Sequence, residues 1–288
     1  MDIAVGLPNA APGTTRDELL SFARAADEAG FSSLGTIDRV VYDNYDPLIT
    51  LGAAAAVTER IRLATGVLLG PLHGNPVSIA KQVLSLDAIA GGNRAVLGIA
   101  LGAREDDYEV SGVPTKGRGS WLESAVERIR EVFDAEGGLE AKIGPRRGTK
   151  PPEMLVGGGA DASFARAARH ADGWIMGAQG PEEFVKSTEK LRAAWEREGR
   201  DGEPKTAALA YYGLGPGGEE EARKELLDYY EWLGDEIAGA IAGSAATDAD
   251  TVKEYVKAFE DAGCDELFFF ATSGDAKQVE LLAEAVGL

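Results

Sequence analysis

Residues 154–176 read MLVGGGADASFARAARHADGWIM, and this stretch decides the fold of the chain. A short apolar run at residues 154–156 is followed by three glycines and by residues 161–170, where apolar side chains recur every three or four positions. That spacing is typical of a helix packed on a core, and a second apolar run follows at residues 173–176. The pattern therefore predicts two parallel strands joined by a helix in a right-handed crossover.

The same alternation extends over the whole chain. Eight apolar runs predict strands at residues 3–7, 33–36, 62–67, 95–101, 154–156, 173–176, 206–212 and 266–271. Eight strands alternating with helices in 288 residues predict an α/β fold, a (β/α)8 TIM barrel with short inserted loops. We expect one domain over residues 1–288, because the two candidate breaks, residues 137–152 and 213–218, are too short to separate domains.

Capping residues mark several helix boundaries. Thr15 and Glu18 form a capping box before an apolar segment, and Gly30 suits the left-handed position that ends a helix. Asp46 and Asn75 each precede a proline, which is favoured at the first helical position. Apolar spacing predicts further helices at residues 121–135, 161–170, 181–198, 219–232, 248–262 and 275–286.

The composition excludes several classes of function. Asp and Glu number 48 against 29 Lys and Arg, and the formal net charge of −19 disfavours nucleic acids and anionic membranes as partners. The single cysteine, Cys264, excludes a disulfide framework, and we expect it to be buried at the start of the last strand. No apolar run reaches membrane-spanning length and no signal peptide is visible, so we expect a cytoplasmic protein.

The strand ends, where such barrels keep their active sites, are poor in catalytic side chains. They offer no cluster of His and carboxylates with metal-ligand spacing and no serine elbow, which favours chemistry supplied by an organic cofactor. Gly157, Gly158 and Gly159 precede a helix and predict a phosphate cradle at its positive end. The alternative is a tight turn that needs positive φ, and Asp161 could itself cap the helix.

Longer motifs carry a resemblance to a known family. LVGGG at residues 155–159 and ARAARHADGWI at residues 165–175 closely resemble a signature of the bacterial luciferase-like superfamily. Further similarities are IRLATGV at residues 61–67, the segment between Ala80 and Arg94, and GVP at residues 112–114. The resemblance runs from the first strand to the last helix. It implies a luciferase-like barrel oxidoreductase that uses FMN or the deazaflavin coenzyme F-420.

The resemblance also implies roles for individual residues. The backbone around Val67 and Leu68 would carry a non-prolyl cis peptide against the flavin ring, and the loop at residues 157–160 would contact the phosphate. Asp38 matches an acidic residue that often ends the second strand, while Gly66, Gly102 and Met176 would line the ring pocket. The expected cofactor-binding residues are Asp38, Gly66, Val67, Leu68, Gly102, Gly157, Gly158, Gly159, Ala160 and Met176.

Two positions depart from one branch of the superfamily. In the enzymes that oxidise sugar phosphates or secondary alcohols, a His follows the second-strand acid and a Glu follows the fourth-strand glycine motif. Here those positions are Arg39 and Leu101, so the acid/base pair of that branch is missing. Arg39 cannot accept a proton near neutral pH; it either binds an anion or forms an ion pair with Asp38 or a carboxylate of the next loop.

His73 is then the candidate acid or base, because it follows the third strand and titrates near neutral pH; a structural role in its loop is the alternative. Arg39 and His73 are therefore the expected catalytic residues. His170 is expected at the end of a helix on the opposite face. The candidate substrate contacts are Tyr42, Asn44, Tyr45 and Tyr108.

Three functions remain open on these observations. The short chain favours hydride transfer with coenzyme F-420 to a small organic substrate. The alternatives are a reduced-FMN-dependent monooxygenase and a cofactor-binding barrel without catalysis, the latter suggested by the missing acid/base pair. Homo-oligomers are common in the superfamily, so a homodimer or larger homo-oligomer is consistent with the resemblance.

Overall fold

Eight parallel strands close into a barrel in the computed structural model, which describes residues 1–136 and 139–288. Each strand pairs with its neighbours in sequence, and β8 closes the barrel on β1. The strands are β1 (Asp2–Gly6), β2 (Ser33–Thr36), β3 (Arg62–Leu69), β4 (Ala95–Ala100), β5 (Glu153–Gly157), β6 (Gly173–Ile175), β7 (Lys205–Tyr212) and β8 (Glu266–Ala271). The predicted barrel and its eight strands are confirmed.

Helices surround the barrel, and their capping follows the sequence signals. Thr15 and Glu18 form the capping box of the first helix, which Gly30 ends at φ 94°, while Asp46 and Asn75 cap the next two long helices. The helices are α1 (Arg16–Ala29), α2 (Pro47–Ala55), α3 (Pro76–Ile89), α4 (Glu105–Val110), α5 (Arg118–Phe133), α6 (Asp161–His170), α7 (Pro181–Arg197), α8 (Gly218–Tyr229), α9 (Asp235–Gly243), α10 (Ala249–Asp261) and α11 (Lys277–Val286). Among the described residues, no helix is both long and apolar enough to cross a bilayer.

The segment after β7 differs from its prediction. The helix predicted at residues 219–232 is present as α8, but its predicted end is wrong, because α8 ends at Tyr229 and a 3-10 turn, Glu231–Leu233, follows it. Gly234 adopts φ 82° and ψ 159°, a conformation outside the helical region, before the additional helix α9 begins. The short α4 after β4 is also absent from the sequence predictions.

Two other expectations concern loops. Of the loop predicted at residues 137–152, Gly137 and Gly138 lie outside the described residues, and the remainder carries a 3-10 turn, Glu140–Lys142. Cys264 is buried as expected, but it lies two positions before β8 rather than at its start.

Alternate residues of each strand point to opposite sides, so the barrel has an inner and an outer apolar layer. The outer layer, between strands and helices, includes Leu34 and Phe269, whereas the inner layer includes Ala4, Ala64 and Phe270. The strands do not contribute equally to the inner layer, because β1 to β3 present small residues and β8 presents phenylalanines.

Phe270 shows the effect of this inequality. A Cβ atom on Gly6 would lie 2.1 Å from the Phe270 ring, and on Gly35 or Gly66 it would lie 2.9 or 3.4 Å from the ring. Glycine on three neighbouring strands therefore makes room for one large ring near the barrel axis. The same division between small and aromatic residues continues at the carboxyl ends of the strands, where the candidate site lies.

Candidate active site

The carboxyl ends of the strands form two unlike sides. The glycine-rich side lies at the ends of β3, β4 and β5 and is defined by Gly66, Gly102, Gly157, Gly158 and Gly159. The aromatic side lies at the ends of β7 and β8 with the last turn of α8, and is defined by Tyr211, Tyr229, Tyr230 and Phe270. The loop after β2 lies against the aromatic side.

β3 reaches the glycine-rich side with an irregular backbone. The peptide bond between Gly66 and Val67 is cis, and the pairing of β3 with β4 shifts register between Thr65 and Leu68. The expected cis bond is thus present in this segment, one bond earlier than predicted. The side chain of Val67 packs on the inner layer, whereas that of Leu68 lies in the outer layer. Only the backbone of Leu68 could therefore contact a cofactor ring.

The loop at residues 157–160 has geometry that requires glycine. Gly158 adopts φ 118°, and a Cβ atom there would lie 2.6 Å from Oγ of Ser163. A Cβ atom on Gly157 would lie 3.1 Å from Cβ of Ala100, while one on Gly159 would meet no atom within 4 Å. Nε1 of Trp174 donates to the Gly158 carbonyl at 2.9 Å and fixes the turn. The turn needs positive φ and also leaves Gly159 open to a ligand.

The N-terminus of α6 behind this loop is free to bind an anion. Ala160 is the N-cap residue, and no side chain of the described residues accepts a hydrogen bond there. Asp161, which could have capped the helix, is exposed and lies 3.2 Å from Nζ of Lys190. Asp161 is in the first turn but pairs with Lys190 and does not cap the helix, so the backbone N–H groups at the positive end of the helix dipole have no side-chain acceptor among the described residues.

Asp38 and His73 join the loops that follow β2 and β3. Oδ2 of the buried Asp38 accepts hydrogen bonds from the Leu69 backbone N–H at 2.8 Å and from Nε2 of His73 at 2.7 Å. Burial alone would lower the pKa of His73, but the hydrogen bond to Asp38 and the charges of Asp38 and Asp46 together raise this pKa. Asp38 thus fixes the β3 segment next to the cis bond and favours a protonated His73.

The exposed part of His73 faces away from the barrel axis. Its ring lines a groove of about 430 Å³ between α2 and α3, together with residues such as Asp46 and Lys81. The contacts of His73 within the fold support a structural role for this side chain. Its role as an acid or base remains a prediction. His170 lies at the end of α6 as expected, 3.1 Å from Oε1 of Glu123.

Arg39 is buried between aromatic rings. Its Cζ lies 4.3 Å from the ring centroid of Tyr42 and 4.6 Å from that of Tyr229. Nη1 donates to the Tyr229 carbonyl at 2.8 Å and Nη2 to the Val41 carbonyl at 3.0 Å. Of the two alternatives for Arg39, the ion pair with Asp38 or a loop carboxylate is not formed within the described residues, because carbonyls and rings surround the guanidinium instead. A contact of Arg39 with an anion remains a prediction.

The candidate substrate residues of the loop after β2 separate into two groups. Tyr42 reaches the aromatic side, where its hydroxyl donates to Oδ2 of Asp228 at 2.7 Å. The Tyr45 hydroxyl instead donates to the Thr14 carbonyl at 2.7 Å, and the Asn44 amide, oriented to satisfy its neighbours, donates to the Tyr42 carbonyl at 3.0 Å. Asn44 and Tyr45 therefore hold loops together, and Tyr42 is the one of these three that contacts the aromatic side.

Tyr108 is also turned away from the opening. It is buried, its hydroxyl donates to the Leu101 carbonyl, and the guanidinium of Arg118 lies 5.0 Å from its ring centroid. The neighbouring Asp107 accepts hydrogen bonds from the backbone N–H groups that follow Arg39. α4 thus secures the loop after β2, and a substrate contact of Tyr108 remains a prediction that this packing does not support.

Of the two remaining residues expected to line the ring pocket, Met176 points away from the barrel axis and Gly102 borders the β3 segment. The side chain of Met176 lies in the outer layer, so the expectation that it lines the ring pocket is wrong. The reason is the two-residue repeat of a strand, because Ile175 points inward and its neighbour must point outward. Gly102 adopts φ 75°, and a Cβ atom there would lie 3.0 Å from the Leu69 side chain, so this glycine borders the irregular β3 segment.

The aromatic side forms one continuous cluster. The hydroxyl oxygens of Tyr211 and Tyr230 lie 2.7 Å apart, and the ring centroids of Tyr229 and Tyr230 lie 4.9 Å apart. The ring of Tyr42 packs edge-on against Tyr229 at 5.2 Å. Burial raises the pKa of Tyr211, Tyr229 and Tyr230, so these side chains are neutral hydroxyl groups near neutral pH.

A cavity beside α8 contains polar residues that the sequence predictions missed. This α8 cavity has a volume of about 620 Å³. It is lined by Ala11, Pro12, Glu221, Lys224, Glu225, Leu227, Asp228, Thr272, Ser273 and Gly274. The signal available in the sequence was the spacing of Glu221, Glu225 and Asp228, which places three acidic residues on one helix face.

The two sides suit different ligands. The glycine-rich side offers an exposed helix N-terminus and backbone close to the barrel axis, which fits a phosphate-bearing cofactor. The aromatic side and the α8 cavity offer neutral hydroxyls, rings and carboxyl groups, which fit a small organic molecule.

Comparisons with known proteins identify a family for the chain. The sequence profile of luciferase-like monooxygenases matches residues 2–284. An uncharacterized protein of Mycobacterium tuberculosis is 36% identical over 174 residues, which cover 57% of this chain and only 61% of that protein. The F-420-dependent glucose-6-phosphate dehydrogenase of Amycolatopsis mediterranei is 23% identical over 304 residues, 91% of this chain and 90% of that enzyme.

Solved structures show the same fold. An F-420-dependent secondary alcohol dehydrogenase, in complex with an F-420-acetone adduct, has a TM-score of 0.79 at 18% identity and covers 99% of this chain and 98% of its own. The oxygenating constituent of 3,6-diketocamphane monooxygenase from Pseudomonas putida, in complex with FMN, has a TM-score of 0.73 at 18% identity, with coverages of 98% and 96%. Proteins of this fold thus include users of coenzyme F-420 and of FMN.

Proposed function

Because the chain belongs to the luciferase-like monooxygenase family, we propose that it is an oxidoreductase which reduces a small organic substrate by hydride transfer with coenzyme F-420. The observation that carries the proposal is the uncapped N-terminus of α6 behind Gly158 and Gly159. The F-420-dependent dehydrogenase that aligns over most of the chain supports the choice of cofactor.

The residues of the 157–160 loop fit a phosphate-bearing cofactor. A side chain at Gly158 would collide with Ser163, and one at Gly159 would fill open space beside the helix N-terminus. Asp161 does not cap the helix, and its carboxylate pairs with Lys190 instead. Backbone N–H groups of the 157–160 loop would hold the phosphate, and the inner side chain of Val67 would support the ring.

The bound cofactor supplies the hydride, and the protein supplies position and shielding. Asp38 holds the β3 segment in place through the Leu69 N–H. Arg39, Tyr42 and Tyr229 pack as one wall that excludes water from the opening. Arg39 and His73 remain proposed contributors to catalysis, Arg39 by stabilising negative charge and His73 as an acid or base.

A second candidate is a reduced-FMN-dependent monooxygenase. The FMN-bound monooxygenase structure with the same fold favours it, since the phosphate cradle would serve FMN equally well. The two functions differ in their need for oxygen. Hydride transfer to an acceptor proceeds under strict exclusion of air, whereas a monooxygenase consumes oxygen.

The two functions are distinguished by rapid mixing of the protein with each reduced cofactor and a panel of small ketones and aldehydes. We expect anaerobic oxidation of reduced coenzyme F-420 that depends on a carbonyl compound. Oxygen uptake that depends on reduced FMN and on the organic substrate would replace this function with the monooxygenase. Tight cofactor binding without turnover in either experiment would instead indicate a barrel that binds the cofactor without catalysis.

A further inference from the structure

One carboxyl oxygen on α8 is shielded from solvent without a partner in the described part of the chain, although the residue that carries it, Glu225, is only half-buried as a whole. Oε2 of Glu225 is shielded from solvent and has no hydrogen-bond partner among the described residues. An ionised carboxylate in such a place is costly, so the group is either neutral or completed by a ligand. Glu225 belongs to none of the contacts that hold the β2 loop or the cofactor loop.

The carboxyl group borders a space large enough for a substrate. The α8 cavity lies between α8 and the loops that follow β1 and β8, which contribute Pro12, Thr272 and Ser273 to its lining. Those loops follow the carboxyl ends of their strands, so the cavity lies on the same face of the barrel as the glycine-rich side. Its volume of about 620 Å³ is typical of a pocket for a small organic ligand.

The groups around Glu225 keep it protonated. On α8 itself, Glu221 and Asp228 are carboxylates, and Lys224 is exposed to solvent. Burial, followed by the charges of Glu221 and Asp228, raises the pKa of Glu225 to about 9. Near neutral pH the group is therefore a neutral acid that can donate a proton.

The groups on the neighbouring elements do not offset the rise in the pKa of Glu225. From β7, the buried hydroxyl of Tyr211 faces that of Tyr230, and the two share a hydrogen bond. The loop after β2 contributes Tyr42, which is bound to Asp228, and Arg39, which is enclosed by Tyr42 and Tyr229. The lining residues of the β1 and β8 loops are uncharged.

We propose that the α8 cavity binds a small uncharged carbonyl compound and that Glu225 donates the proton to its oxygen. This inference rests on the proposed hydride transfer with reduced coenzyme F-420. As hydride adds to the carbonyl carbon, the electron pair of the C=O π bond moves to oxygen, and oxygen takes the proton from Glu225. The products are an alcohol, oxidised cofactor and a Glu225 carboxylate, which regains its proton from water through the cavity.

The same residues restrict the class of substrate. Glu221 and Asp228 repel a phosphate or carboxylate group at the cavity, and Lys224 is the only cation in its lining among the described residues. The relative from Amycolatopsis mediterranei is by name a dehydrogenase of a sugar phosphate. Here we expect a neutral ketone or aldehyde to be preferred over its phosphorylated counterpart.

The variant E225Q tests the assignment, with E220Q as the matched control, because Glu220 lies exposed on the same helix. In wild-type protein labelled with carboxyl-13C glutamate, we expect one resonance that titrates above neutral pH and is missing in E225Q. The folded state retains a proton that the unfolded chain releases above 4.5, so stability should fall between pH 4.5 and about 9 in wild type and E220Q. In E225Q this contribution to the pH dependence should be lost.

Turnover provides the second measurement. With the carbonyl compound that the wild type reduces, E225Q should lower kcat about 100-fold while cofactor binding and the fold are unchanged, and E220Q should match the wild type. A Glu225 resonance that titrates in the ordinary range, or an unchanged kcat in E225Q, would overturn the assignment and leave the proposed function intact. A wild type that binds coenzyme F-420 but reduces no carbonyl compound would overturn both.

Discussion

The glycine-rich side and the aromatic side of the strand ends are specified in opposite ways. On the glycine-rich side, geometry depends on missing side chains, because a Cβ atom on Gly158 would collide with Ser163. On the aromatic side, geometry depends on side chains that meet from distant segments, as when Arg39 bonds to Tyr229 from 190 positions away. The first kind of site can be recognised in a local motif, and the second requires the whole fold.

The largest effect is expected from adding one methyl group within β4, the strand that leads to Gly102 on the glycine-rich side. In G98A the new Cβ atom would lie 2.1 Å from the Thr65 carbonyl oxygen, so β3 and β4 must separate. We expect the free energy of unfolding to fall by about 3 kcal/mol in urea denaturation. The control G52A adds a methyl group in open space on α2 and should not destabilise the protein. Equal stability of G98A and wild type would show that the strand ends tolerate side chains there.

The next effect separates cofactor binding from folding. G158V should weaken binding of coenzyme F-420 about 100-fold, because the side chain strains the φ 118° turn and displaces the phosphate loop. G199V carries a comparable backbone strain, at φ 66°, at the end of α7 away from the strand ends. Fluorescence titration should find normal affinity in G199V. Equal affinity in G158V would remove the loop from the cofactor site.

On the aromatic side, R39M tests the contribution of side-chain contacts, whereas the glycine variants test the room left by a missing side chain. The variant leaves the carbonyls of Val41 and Tyr229 without their donor and removes the cation between two rings, so we expect a loss of about 2 kcal/mol. Thermal unfolding would be compared with R16M, because Arg16 is exposed. Unchanged stability together with weaker substrate binding would show that Arg39 acts mainly on an anion.

The smallest effect concerns the contact between Asp38 and His73. In D38N the negative charge that offsets burial is lost, so the pKa of His73 should fall, as followed by NMR of its ring protons. In wild type the raised pKa adds stability that is present below 6.5 and is lost as pH rises through the folded value. D38N should lack this loss. H170Q assigns the two histidine signals, and an unshifted His73 in D38N would contradict the account.

Local signals predicted most of the fold. The capping box at Thr15, the cap at Asp46 and the eight apolar runs act within a few residues, so they could be read without tertiary information. The break after α8 could not be read in the same way, because the helical spacing continues past Tyr229, where α8 ends, up to Gly234, which precedes α9.

The site was predicted less evenly. The loop at residues 157–160 and the cis bond next to Val67 followed from motifs on the glycine-rich side. Met176 was misplaced because its direction depends on the register of β6, and the ion pair expected for Arg39 was replaced by contacts from α8. Glu225 was missed because its burial arises only when α8 packs over the loops after β1 and β8.

The central claim is that the glycine-rich side binds a phosphate-bearing flavin-type cofactor. Titration of the purified protein with coenzyme F-420 and, separately, with FMN, followed by fluorescence, tests it most directly. We predict saturable binding of coenzyme F-420 at micromolar concentration, competed by inorganic phosphate at the α6 N-terminus. Failure of both cofactors to bind below millimolar concentration would contradict the claim.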